Sequence, residues 1–283
     1  MSDNKSVLPT TKPAPLSRRT VWIITAIVVV VVVVATALVL GLNRGDSSTS
    51  DRPSATAPAA SAPASAGAPD VGSGFTGTTV DKLGHPVQLP ANPAGELLPQ
   101  TANTPADRNA APAGLIWEKL YDLPVVPFST SDGPSTITDG IPQGWSRTPQ
   151  GAALAGISIL ALLLGAPDAP SMTVENTLVS GDPQVIRSEV SSSRPVRQVA
   201  LDNPELAGGT MQGVTVTRFS PSFATVRVAA GPVYTDDHPS GAYAVSTLNL
   251  TWDEGTWKLI ITTESPGRPE YRGSIAGMTP WVD

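Results

Sequence analysis

Only two histidines occur in the 283-residue chain, and cysteine is absent. Disulfides, thiolate metal sites and cysteine nucleophiles are therefore excluded. His238 follows Asp236 and Asp237 and precedes Pro239, so D-D-H-P places three metal-type ligands in a row. Adjacent residues rarely converge on one ion, and no second such cluster exists to complete a coordination shell. A polar loop between strands is the preferred reading. His85, which precedes Pro86, has no G-x-S-x-G elbow to partner in a Ser-His-Asp arrangement. No G-x-x-x-x-G-K-[ST] loop is present to cradle phosphate. Asn249-Leu250-Thr251 fits a glycosylation acceptor but falls inside an expected strand. The expectation is a protein without catalytic residues, cofactor or metal, and not an enzyme.

Recognition is the chemistry that remains. In G-I-P-Q-G-W-S-R-T-P-Q-G-A-A-L-A-G (140–156), Trp145 and Arg147 are the residues suited to contact a partner. Two islands upstream, L-I-W-E-K-L-Y (115–121) and V-V-P-F-S-T-S-D-G-P (125–134), add Trp117 and Phe128. These four are the candidate contacts. Large aromatics are more often buried than not, so anchoring the chain to its own core is the preferred reading for them.

The elements around these residues follow from spacing. Thr148-Pro149 is a helix start, with a hydroxyl N-cap and proline at the first position, where its missing N–H is not needed. The helix is expected from Pro149 to about Leu164, stopped by Gly165 and Pro167. It holds no charged residue between Arg147 and Asp168 and is apolar nearly all round, so it belongs in a core. Gly151, Ala152, Ala155 and Gly156 are small enough to let a neighbour approach closely. Residues 172–179 and 183–190 suit short helices. From Gly213 the pattern changes to period two: 213–219 and 223–230 flank Ser220-Pro221-Ser222, and 242–252 and 256–263 flank Asp253-Glu254-Gly255. Two successive hairpins predict an antiparallel meander. The expected fold class is α+β, with helices packed on a curved antiparallel sheet over 139–283 and an extended proline-rich arm over 75–138.

Upstream, Val21–Leu42 is an apolar run with seven consecutive valines, Val28–Val34. As a helix it measures about 33 Å, enough for a hydrocarbon core of roughly 30 Å. Lys5, Lys12, Arg18 and Arg19 precede it against one acid, Asp3, so the rule of positive residues inside predicts a cytoplasmic tail over 1–20. Residues 43–74, dominated by Ala, Ser, Pro, Gly and Thr, read as a disordered linker. The expected localisation is a single pass of the plasma membrane with the C-terminal domain extracytoplasmic. The net charge of −6 makes nucleic acid an unexpected partner.

The order of tether, buried helix, short helices and a meander ending in W-D-E-G-T-W-K-L resembles the nuclear-transport-factor-two-like cone. It also resembles the membrane-anchored domains of that fold in conjugative, type IV secretion-like systems of Gram-positive bacteria. The pair V-P-F-S-T-S-D-G-P and G-W-S-R-T-P-Q-G-A-A-L-A (144–155) is similar to that of an actinobacterial family of single-pass envelope proteins. The resemblance implies a scaffold that presents a cone domain to other envelope proteins. The alternative is a binding module for a small apolar ligand, a lipid or a cell-wall component.

Overall fold

The computed structural model describes residues 74–102, 107–203, 208–235, 238–264 and 269–282. The expected tail, apolar span and nearly all of the linker lie outside these residues, as do Asp236 and Asp237. Among the described residues no helix is long and apolar enough to cross a membrane. The single-pass localisation expected from Val21–Leu42 is accordingly corrected: no described helix supports it.

The expected fold class is also corrected. Strand predominates: the described residues form twelve strands and three helices, in three sheets rather than one curved sheet under helices. The difference lies in residues 75–138, read from their prolines as an arm. They form β1 (Phe75–Val80), β2 (Pro86–Pro90), β3 (Ile116–Lys119) and β4 (Val125–Phe128), a four-stranded sheet in that order. A separate hairpin follows, β5 (Thr136–Thr138) and β6 (Ile141–Gln143). Proline is tolerated because it lies at strand ends, as Pro86 and Pro90 do, or on the outermost strand, as Pro127 does on β4.

Helix α1 (Pro149–Gly165) starts where the Thr148-Pro149 pair requires. Thr148 is extended, and its Oγ1 accepts from the Gly151 N–H at 2.9 Å. The helix ends at Ala166, whose extended backbone leads into Pro167. It is followed by α2 (Asp168–Thr177), β7 (Val179–Gly181) and α3 (Pro183–Asp202), which Asp182 caps by accepting from Gln184 N. The second large sheet has the order β7-β11-β10-β9-β8, from β8 (Gly213–Ser220), β9 (Phe223–Thr235), β10 (His238–Asp253) and β11 (Thr256–Ile261). The short β12 (Glu270–Arg272) pairs with the far end of β10.

Period-two alternation turns one face of this sheet inward. Pairings Val216↔Val226, Leu248↔Val226, Leu250↔Ala224 and Leu250↔Leu259 align a row of fully buried apolar side chains across four strands. Helix α1 lies against this row. At Gly156 a Cβ would sit 3.2 Å from Leu248 Cδ1 and 3.2 Å from Leu250 Cδ1, so hydrogen alone fits without displacing the leucines.

Gly156→Leu is therefore expected to lower the Tm of the domain by at least about 3 °C, from an overpacking cost of about 1–3 kcal/mol. Gly156→Ala is expected to lower it less. Thermal unfolding followed by circular dichroism measures both, and an unchanged Tm for Gly156→Leu would refute this packing.

Candidate functional site

The two segments singled out by sequence meet at the start of α1. Asp132, almost fully buried, accepts from Thr148 Oγ1 at 2.5 Å through Oδ1, and its carbonyl accepts from Ser146 N at 3.1 Å. Ser129 Oγ accepts from the backbone N–H of Ser131 and Asp132 and shapes the turn. Gly133 has a φ of +94°, and a Cβ there would lie 2.8 Å from the Gly144 carbonyl. Glycine satisfies both conditions. This junction is architecture.

Of the four candidate contacts, three are core. Phe128 is fully buried, and Trp117 and Trp145 nearly so. Trp117 Nε1 donates to the Trp281 carbonyl at 3.0 Å. Arg147 is exposed; its guanidinium lies 5.1 Å from the Trp252 ring centroid and its Nε donates to the Pro221 carbonyl. The four therefore do not assemble into one surface. His238 stacks near Tyr271, with ring centroids 5.4 Å apart. Among the described residues no group of three metal-type ligands converges.

A cavity of about 120 Å3 lies instead at the C-terminal half of α1. The helix contributes Ile157, Leu160, Ala161 and Leu164, and the sheet contributes Val228, Val233, Ala244 and Leu248. The pairing of β10 with β9 slips between His238 and Ala242 and again between Ala242 and Ala244, and such bulges bend a strand pair. Ala230, Gly231 and Ala244 line the cavity at that bend, where small side chains leave the space unfilled. Leu123, Pro124 and Val125 close one side, and Leu83 with residues 208–211 forms a roof.

The roof is held by one carboxylate. Asp81, whose side chain is 1% exposed, accepts through Oδ1 from the N–H groups of Leu83 (2.8 Å) and His85 (3.0 Å). Through Oδ2 it accepts from Thr210 N (3.1 Å) and Thr210 Oγ1 (2.8 Å). Burial pushes the Asp81 pKa upward, but hydrogen bonds from His85 and Thr210 outweigh it and hold the group at about 2. His85 Nδ1 lies 3.2 Å from both Asp81 Oδ2 and Thr210 Oγ1. A catalytic relay needs the acid on one imidazole nitrogen and the nucleophile on the other. Here both contacts fall on the same nitrogen, which is the geometry of a clamp.

Sequence reasoning passed over Asp81, Lys82, Thr210 and Glu118. D-K-L-G carries the signal for the first, an aspartate two residues before the N–H it caps with glycine closing the turn. Glu118 gives no signal, being a charged residue beside Trp117 in a short strand. It is fully buried; Oε2 accepts from Glu96 N at 2.8 Å, and Oε1 has no hydrogen-bond partner among the described residues. Burial pushes its pKa up to about 8; the Glu96 N–H opposes this and the Glu96 carboxylate adds to it.

The fold and site thus define a sheet-rich domain with an apolar cleft between a buried helix and a bent antiparallel sheet. A family model described as a domain of unknown function (DUF8175) matches residues 79–280, and the chain belongs to that family. No curated protein and no solved structure matches the chain.

Glu118 sets a pH dependence. Its folded pKa, about 8, lies above the ordinary value of 4.5. Between these values the folded state keeps a proton that the unfolded state releases. Stability is then complete below pH 4.5 and falls as pH rises toward 8, by at most about 1.4 kcal/mol per unit. Denaturant unfolding at pH 5 and pH 8 is expected to show this loss, and Glu118→Gln is expected to flatten it. An equal slope in the variant would remove Glu118 as the cause.

Proposed function

We propose that the domain is a binding module for a small apolar ligand held in the cleft at the C-terminal half of α1. The observation that carries this reading is the cavity of about 120 Å3 with a mainly apolar lining. Apolar cavities of about 150 Å3 admit benzene, so a space of this size takes a small ring or the end of an aliphatic chain. A deeper core would have closed it; the small residues Ala161, Ala230 and Ala244 keep it open. The arrangement of His85 favours binding over catalysis, since both its partners share Nδ1. The scaffold reading has less support from the geometry, because three of the four residues it relied on are buried.

The test is titration of the full chain with the neutral fluorophore N-phenyl-1-naphthylamine, followed by displacement with octan-1-ol. Ala161→Phe and Ala230→Leu each fill the cavity from a different wall. Both are expected to weaken probe binding at least tenfold while Tm stays level or rises, as cavity-filling substitutions commonly do. Undiminished binding in both folded variants would overturn the proposal.

A further inference from the structure

The rim of the cleft carries a charge preference. Its lining holds two cations, Lys82 and Arg197, and no carboxylate, in a chain of net charge −6. The two cations differ in what already occupies them. Arg197 Nη1 donates to the Gly165 carbonyl at the end of α1; burial lowers its pKa, and the charges of Asp168 and Asp122 oppose this only in part. Lys82 sits on the exposed β1–β2 turn, and among the described residues its amine has no hydrogen-bond partner. Its neighbour Asp81 is committed to four N–H and O–H donors and turned away into the clamp.

We infer that the cleft takes a monoanionic amphiphile, an aliphatic chain ending in a carboxylate, with Lys82 as the residue that meets the head group. This rests on the proposed apolar cleft and adds the class of ligand. The clamp supplies rigidity: Asp81 accepts from the Leu83 and His85 N–H groups, so the backbone of the turn that carries Lys82 is fixed at the cavity lining. Apolar surroundings lower the amine's pKa, against the pull of the Asp81 charge, and a bound carboxylate relieves that penalty. An ammonium–carboxylate hydrogen bond at a partly desolvated site is among the stronger ones available.

Displacement of N-phenyl-1-naphthylamine from the full chain by octanoate, octan-1-ol and octyltrimethylammonium tests the assignment. Octanoate is expected to bind about tenfold more tightly than octan-1-ol, and octyltrimethylammonium more weakly than either. From butanoate to octanoate each methylene is expected to tighten binding about fourfold until the cavity is filled. Lys82→Gln, a change on an exposed turn, is expected to weaken octanoate about tenfold and leave octan-1-ol within twofold; Lys82→Arg is expected to retain most of the octanoate affinity. Equal binding of octanoate and octan-1-ol, or a Lys82→Gln variant that weakens both alike, would overturn the head-group assignment and leave the apolar cleft standing. If none of the three displaces the fluorophore, the cleft reading falls and this inference with it.

Discussion

An uncharged helix of seventeen residues, apolar on every side, must be covered on every side, and the architecture follows from that constraint. Nearly all of α1 is buried. Leucines of β10 cover the face that carries Gly156. Strand β4 and the following turn cover another, which is why residues 75–143 have to fold rather than trail. Helices α2 and α3 cover the remainder, joined to it by Ser171 Oγ donating to the Leu163 carbonyl and by Arg197 donating to that of Gly165. Even the polar side chain of Gln150 is satisfied inside, donating to the carbonyls of Asp107 and Ala110. The Asp132–Thr148 hydrogen bond ties the turn after β4 to the residue that caps the start of the helix. Four covers drawn from distant parts of the chain meet over α1. They fail to close at its second half, where the sheet bends away, and the cleft is the gap.

Elements that announce themselves locally were legible in the sequence. The cap of α1, its burial and the four strands of the meander each rest on a signal within twenty residues: Thr148-Pro149, the absence of charge, or alternation between turn residues. The first sheet rests on nothing of the kind. Its strands are four to six residues long, and β2 meets β3 in parallel at the single pair Gln88↔Glu118, thirty positions apart. Short strands with proline at their ends read as an arm, and the pairing that makes them a sheet is non-local. That difference moves the fold from helices on one sheet to a strand-dominated, three-sheet protein.

The candidate site was less legible for a related reason. Trp117, Phe128 and Trp145 attract notice by type, yet large apolar surface is what a core demands first. The cleft depends on residues that attract none: Ala161, Ala230, Gly231 and Ala244 matter by what they leave empty. No periodicity records a cavity. Lys82 becomes informative only when the turn brings it to the cavity lining, and Asp81 only when Thr210, 129 positions away, donates to it.

Asp81 and Glu118 show how the same cost of burying a carboxyl is resolved in opposite ways. Both lie out of water. Asp81 gathers four donors and stays ionised, with a pKa of about 2, below the ordinary 3.8. Its contribution to stability is therefore complete above pH 3.8 and fades only as pH falls toward 2. Glu118 has one donor and a like charge nearby, and is held neutral until about pH 8. The roof of the cleft thus rests on a group indifferent to pH across the neutral range, and the titrating group, on β3 of the same sheet, is not among the residues that line the cavity. The proposed cleft therefore keeps its roof while Glu118 titrates, because Asp81, which anchors the turn that carries Lys82, stays ionised throughout that range.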